Sequence, residues 1–305
     1  MRESSVEESY SLKNIIKFLG EKNFTILLYC VLNRIPIFVA GEIDDEVNDL
    51  INSIVSLVPH RNDVVFYSDF IDPEDYSLMI EEELNNFNIP RMIVCCPTTA
   101  FKIAMENISN LTGWILGIKY NGNATREKIF EILSERLDFY LLLMIENEEI
   151  QIKSNNLNFN QIDLSFEKKL IIKSIEKTEI ALEKMKRVLN KKITNSINSQ
   201  ILNSIMNFEL EENKIQANIF REEIEAFVHA SIRALAILSR IDLLRELGIK
   251  IQLADKTLLQ TIDYDNIKCE RLLRFIKSEY GVNFKKCINM GWRNRFGDQI
   301  EGSWG

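Results

Sequence analysis

The 305 residues contain neither glycine nor proline between Asn123 and Leu247, and all five prolines (Pro36, Pro59, Pro73, Pro90, Pro97) fall in the first third. Gly and Pro punctuate short elements, so their loss excludes a succession of short elements there and implies a few long helices. Long apolar runs are missing too. The greasiest segment, Ala226 to Leu244, is interrupted by His229, Arg233, Arg240 and Asp242, short of the ~18 apolar residues that a membrane span needs. Residues 1–8 lack the basic-then-apolar order of a signal peptide, which makes a cytoplasmic protein the expectation. Five cysteines are an odd number, and Cys95 and Cys96 are adjacent, where they do not readily pair with each other. No cysteine pair has zinc-finger spacing, so a disulfide framework and a thiolate metal site are both excluded as expectations.

The usual phosphate cradles are absent. Gly41 stands alone after the first expected strand, with no Gly-x-Gly-x-x-Gly. Gly117 and Gly122 have phosphate-loop separation, but Asn123-Ala124 stands where Lys-Ser/Thr is required. There are two histidines. His60 follows Pro59 in an expected surface turn, and His229 lies in the greasy helix, where a hydrogen-bonded core imidazole is expected. No standard catalytic motif emerges, and no cofactor is expected.

What is present in the first half is alternation. Leu12, Ile15, Ile16 and Leu19 have helical spacing, and Phe24 to Leu32 reads as a second, more buried helix. Strands are expected at Pro36–Ala40, Val64–Tyr67, Met92–Cys96, Trp114–Ile118 and Phe139–Ile145, with a hairpin arm at Glu148–Ile152. Between them lie helices: one carrying Val47, Leu50, Ile51, Ile54 and Val55 on one face, with Asp44 as its cap, one opened by Asp72-Pro73-Glu74, and others over Thr99–Ile108 and Arg126–Arg136. The strands are continuous apolar runs, as a sheet covered on both faces requires. The reading is an α/β N-terminal domain, a doubly wound, mostly parallel sheet of about five strands over 1–155, followed by an all-α C-terminal domain over 156–305.

In the second half Ile171, Ile175, Thr178, Leu182, Met185 and Leu189 step by alternating fours and threes. Phe220, Ile224, Phe227, Ser231, Ala234, Leu238 and Ile241 do the same. Two such seams, separated by the polar stretch around Glu209 to Lys214, predict a long antiparallel helical hairpin, with self-association through the seams as one use. Shorter helices are expected over Asp255–Thr261 and Ile267–Tyr280, with another over Phe284–Met290.

Two constellations could carry function. Ligands of a doubly wound sheet bind beyond the carboxyl ends of its strands, where the sequence places Gly41, Glu42, Asp44, Asp45, Asp69, Thr98 and Lys119; Asp44 and Asp72 also read as helix caps. Acids with a Thr and a Lys resemble the divalent-ion and phosphoryl site of receiver domains. Residues 1–90 carry 17 acids against 6 bases, an excess that argues against general nucleic-acid binding. By contrast, Lys268 to Arg295 carries eight bases against two acids. There Arg271, Arg274, Lys277, Lys285, Lys286, Arg293 and Arg295 interleave with Phe275, Tyr280, Phe284, Trp292 and Phe296, a mixture that can bind nucleic acid but reads first as the edges of amphipathic helices. Trp292 and Trp304 in the Gly-rich tail are candidate anchors on the protein or on a partner.

The run from Ile26 to Gly41, ILLYCVLNRIPIFVAG, is an apolar helix, a short basic turn and a buried strand. A helix from Val47 ending at Pro59 follows, and later Gly113-Trp114-Ile115-Leu116-Gly117-Ile118. This order resembles the central module of DENN domains, especially the folliculin-like group, in which an α/β module precedes a helical one. The resemblance implies a partner, a small GTPase, and a non-catalytic interaction or regulatory protein or complex subunit. Two alternatives stand beside it: the receiver-like domain, and a nucleotide- or ligand-sensing α/β domain coupled to a helical effector, from whose Arg–His signature the eight-position spacing of Arg221 and His229 departs.

Overall fold

The computed structural model describes residues 12–67, 72–87, 89–146, 149–193 and 208–289. The chain forms two compact units, Met1–Ile224 and Glu225–Gly305. The change from sheet to helix near residue 155 is therefore a change of element type, whereas the division in packing falls inside a long helix.

In the first unit, α1 (Leu12–Leu32) leads into β1 (Ile37–Gly41), α2 (Asp44–Val55), β2 (Arg61–Val65), α3 (Pro73–Asn85) and β3 (Arg91–Cys96). Then come α4 (Phe101–Asn107), β4 (Trp114–Lys119), α5 (Asn123–Arg136), β5 (Tyr140–Glu146) and β6 (Glu149–Asn155), followed by α6 (Ser165–Ile193) and the first part of α7 (Phe208–Glu246). The six strands lie in the order β2-β3-β4-β1-β5-β6; five are parallel, and β6 closes the edge as an antiparallel hairpin arm on β5. The expected α/β-then-helical fold class is the one observed.

The winding follows from strand order. From β1 the chain travels three places to one side, then steps back through β3 and β4 to β5. With right-handed crossovers, α2 must lie on one face and α3 to α5 on the other. The packing agrees. Tyr76 of α3, Ala104 and Met105 of α4, and Ile129 and Leu133 of α5 share one core with Phe38, Trp114, Leu116, Tyr140 and Leu142. On the opposite face α2 lies on β1 and β4, and α1 on β6 and α6. Within the larger core, Trp114 Nε1 donates to the Tyr76 hydroxyl at 2.9 Å, which satisfies an indole that is fully buried.

At the amino ends of the strands three arginines are buried. Arg34 occupies the left-handed region (φ 55°) in the turn after α1, a position that usually takes glycine. Its guanidinium forks onto Glu83 of α3 at 2.7 and 3.2 Å, and a second contact of Glu83 Oε1 receives the Met92 amide at 2.9 Å. Arg61 donates to the Val31 carbonyl at 2.9 Å, and Arg91 to the Glu83 carbonyl, so each sits at a helix end where carbonyls lack helical partners.

Several expectations shift. The second strand runs Arg61–Val65 and not Val64–Tyr67: as an edge strand it exposes Asn62 and Asp63, so its polar start hid it. Tyr67 is already left-handed at φ 63°. By contrast, the two expected N-terminal helices are both present and meet at Gly20, whose backbone is non-helical. The polar stretch Glu209 to Lys214 lies inside α7, at the start of the helix that carries the second seam. Of the α6 seam, Ile171 and Thr178 are buried, but Ile175 is 38 % exposed, and Leu189 has no described side chain.

The second unit comprises the rest of α7, β7 (Leu253–Ala254), α8 (Asp255–Thr261), α9 (Cys269–Tyr280), a 3-10 turn (Lys285–Cys287) and β8 (Ile288–Asn289). Phe227 packs on Phe275 at 4.6 Å and on Tyr264 at 5.9 Å between ring centroids. Leu238, Leu258, Ile262, Leu272 and Ile276 complete that core, and β7 pairs in parallel with β8 in place of the expected last helix.

Candidate functional site

The carboxyl ends of β1 and β4 are neighbours, and the helices that follow them, α2 and α5, lie on opposite faces. That is the switch point at which such a sheet takes its ligands. Its geometry is set by two glycines. A Cβ on Gly41 would come 2.8 Å from Val47 Cγ2, and one on Gly117 would come 3.1 Å from each of Ile51 Cδ1, Thr98 Cγ2 and the Thr98 backbone nitrogen. The missing side chains let α2 and the turn after β3 press onto the sheet. Gly41 thus serves helix packing.

Into this place α2 delivers Asp44. The residue is the first of the helix, with Ile43 as its cap and no side-chain cap bond, so the expected capping role of Asp44 is not observed. Its carboxylate is used across the sheet instead. The Thr98 hydroxyl donates to Asp44 Oδ1 at 2.6 Å, and Lys119 Nζ donates to Oδ2. Parallel pairing makes this possible: Lys119 lies beside Gly41 in register, and the Tyr120 amide donates to the Gly41 carbonyl at 3.1 Å. The hydrogen bonds from Lys119 and then Thr98 hold the Asp44 carboxyl below its ordinary value of 3.8.

Of the rim residues read from the sequence, Thr98 and Lys119 are brought together, and Gly41 lies beneath them. Glu42 and Asp45 are exposed at the same end, and Asp69 lies outside the described residues. Asp44 was legible both as a rim acid and as a cap, and the structure joins it to Thr98 and Lys119 on the rim. Asp72 does cap, accepting from the Glu74 and Asp75 amides at 2.9 Å each. Among the described residues, no three His, Cys, Asp or Glu side chains converge as a metal site.

The other end of the chain separates likewise. Arg274 is half-buried in α9, and Lys285 and Lys286 are exposed around the 3-10 turn. Phe275, Tyr280 and Phe284, the rings that a stacking surface would use, are at most 3 % exposed and belong to the core of the second unit. Trp292, Arg293, Arg295, Phe296 and Trp304 lie outside the described residues. His229 is exposed, not a core imidazole, whereas the ring nitrogens of His60 are shielded from solvent.

No cysteine is poised as a nucleophile. All five are buried and outside any disulfide. Burial pushes the thiols of Cys95, Cys96 and Cys269 up to about 12, and that of Cys287 up to about 11. No helix among the described residues is long and apolar enough to cross a membrane. Neither family models nor curated protein sequences give any match to the chain.

Proposed function

We propose that this chain is a non-catalytic interaction protein whose α/β unit engages a protein partner. The observation that carries the reading is the fate of the switch point. Both carboxylate oxygens of Asp44 are engaged by Thr98 and Lys119, and Asp44, Asp45 and Glu46 occupy the first turn of α2. Those three carboxylates complement the positive end of the helix and repel the phosphate that a nucleotide would place there. The five thiols, the strongest nucleophiles among the described residues, are all buried. A small GTPase is the partner class that the DENN-like order of helix, basic turn and strand supports, and five unpaired thiols fit a reducing, cytoplasmic setting. The test is retention of small GTPases, loaded with GDP or a GTP analogue, on the immobilised full chain. Binding of one nucleotide state supports the reading, and no retention in either state overturns it.

A second reading has an observation of its own. A carboxylate, a hydroxyl and an ammonium meet at one strand end, the set used in receiver-like phosphoryl transfer. Incubation with acetyl phosphate and Mg²⁺ decides it: a phosphate adduct that disappears in Asp44→Asn would favour this reading.

A further inference from the structure

The end of α7 and the loop after it turn apolar side chains to solvent. Leu247 is 71 % exposed, Leu243 57 %, Ile249 49 % and Ile251 37 %, four aliphatics in nine residues. Such a cluster, unlike scattered surface aliphatics, marks a place that something covers. The loop is nevertheless firmly built. Gly248 closes the helix in the left-handed region (φ 86°), with the Ile249 amide donating to the Leu244 carbonyl at 3.0 Å and the Gly248 amide to the Arg245 carbonyl at 2.9 Å. Arg245 Nη1 donates to the Ile251 carbonyl at 3.3 Å, and Gln252 Nε2 to the Lys286 carbonyl at 3.1 Å. The turn also projects, because a Cβ on Gly248 would meet nothing within 4 Å. Residues 243–252 and 285–287 carry four bases, Arg245, Lys250, Lys285 and Lys286, against one acid, Glu246, in a chain of net charge −8. Asp242, just before them, is taken up by the Cys287 thiol at 3.3 Å.

We propose that this tip docks on an anionic membrane surface: Leu243, Leu247, Ile249 and Ile251 enter the boundary between headgroups and acyl chains, and Arg245, Lys250, Lys285 and Lys286 lie over the headgroups. A projecting tip fits a fluid interface, which closes round separate aliphatic side chains, whereas a protein partner needs complementary relief. The preformed turn loses little conformational freedom on insertion. Each base held near an anionic bilayer adds an attraction that salt screens. The chain as a whole is acidic and is repelled by such a surface unless it presents a basic tip. The inference rests on the second unit alone, whatever the partner of the α/β unit.

Flotation of the full chain with phosphatidylcholine vesicles, with and without phosphatidylserine, tests the docking. Binding is expected where phosphatidylserine is present, is expected to weaken with salt, and is expected to fall on the order of 10-fold in Lys285→Gln/Lys286→Gln. Leu247→Glu/Ile249→Glu changes exposed side chains, so binding is expected to be lost with the denaturant midpoint unchanged. No binding to either vesicle overturns the proposal. Binding kept in Leu247→Glu/Ile249→Glu also overturns it, and assigns the contact to another segment, such as the one bearing Arg293 and Arg295. Insertion is read separately through Leu247→Cys, an exposed thiol in a chain whose native thiols are buried, labelled with an environment-sensitive fluorophore. Its emission is expected to move to the blue when phosphatidylserine vesicles are added, and an unmoved emission overturns the proposal.

Discussion

The hydroxyl of Thr98 and the carboxylate of Asp44 are 54 positions apart in the chain and 2.6 Å apart in space. This bond ties the turn after β3 to the first residue of the helix after β1, and Lys119 from β4 completes the tie. Three strand ends are thereby joined across the place where a sheet of this winding is usually open.

Gly117→Ala tests how tightly that closure is packed. The new Cβ would lie 3.1 Å from the Thr98 backbone nitrogen, where nothing flexible can yield. Overpacking of this kind costs ~1–3 kcal/mol, so the denaturant midpoint is expected to fall. An unchanged midpoint would mean that the turn after β3 is not held against β4.

The Asp44 interaction has a defined pH signature. The folded-state pKa is lowered below 3.8, so its contribution is fully present above that value and is lost as pH falls through the folded pKa. Between about pH 5 and about pH 2, the wild-type chain is expected to lose more stability than Asp44→Asn, which cannot gain that proton. Parallel acid limbs for the two proteins in urea melts would argue against the interaction.

Glu83→Ala leaves Arg34 buried beside Arg91 without its carboxylate. Removing one partner of a buried pair costs ~3–5 kcal/mol. By comparison, Glu183→Ala breaks the exposed pair with Arg187, with an expected loss of ~0.3–0.5 kcal/mol. Equal losses in chemical denaturation would show that the Arg34–Glu83 fork contributes no more than a surface pair.

The buried thiols give a direct chemical readout. With pKa values pushed to about 12 for Cys95, Cys96 and Cys269, the folded chain is expected to be inert to an aromatic disulfide reagent at mildly alkaline pH. All five cysteines should then react in denaturant. Rapid labelling of the native protein would contradict their burial.

The sheet was legible because its strands are apolar throughout, and periodicity fails only where burial is one-sided. Arg61-Asn62-Asp63 opens an edge strand whose polar residues carry no strand signal, so β2 was expected three residues too late. The fork of Arg34 onto Glu83 was illegible because its partners lie 49 residues apart and neither belongs to a local motif. For Asp44, the choice between cap and rim was illegible for a related reason. Sequence spacing shows that an acid begins a helix, but whether its carboxylate turns to its own amides or to another strand depends on strand order. The seam on α7 held through Phe227, Ala234 and Leu238, whereas Ile175 on α6 turned outward because the helix is packed on one side only.

We propose that the chain's own Asp44, Thr98 and Lys119 occupy the switch point in place of a nucleotide. The direct measurement is the thermal midpoint of the full chain, with and without Mg²⁺, against a panel of nucleoside mono-, di- and triphosphates. The account predicts no shift with any of them. A ligand present at 100 times its dissociation constant stabilises by ~2.7 kcal/mol, so a rise of roughly 5–10 °C that vanishes in Asp44→Asn would contradict it.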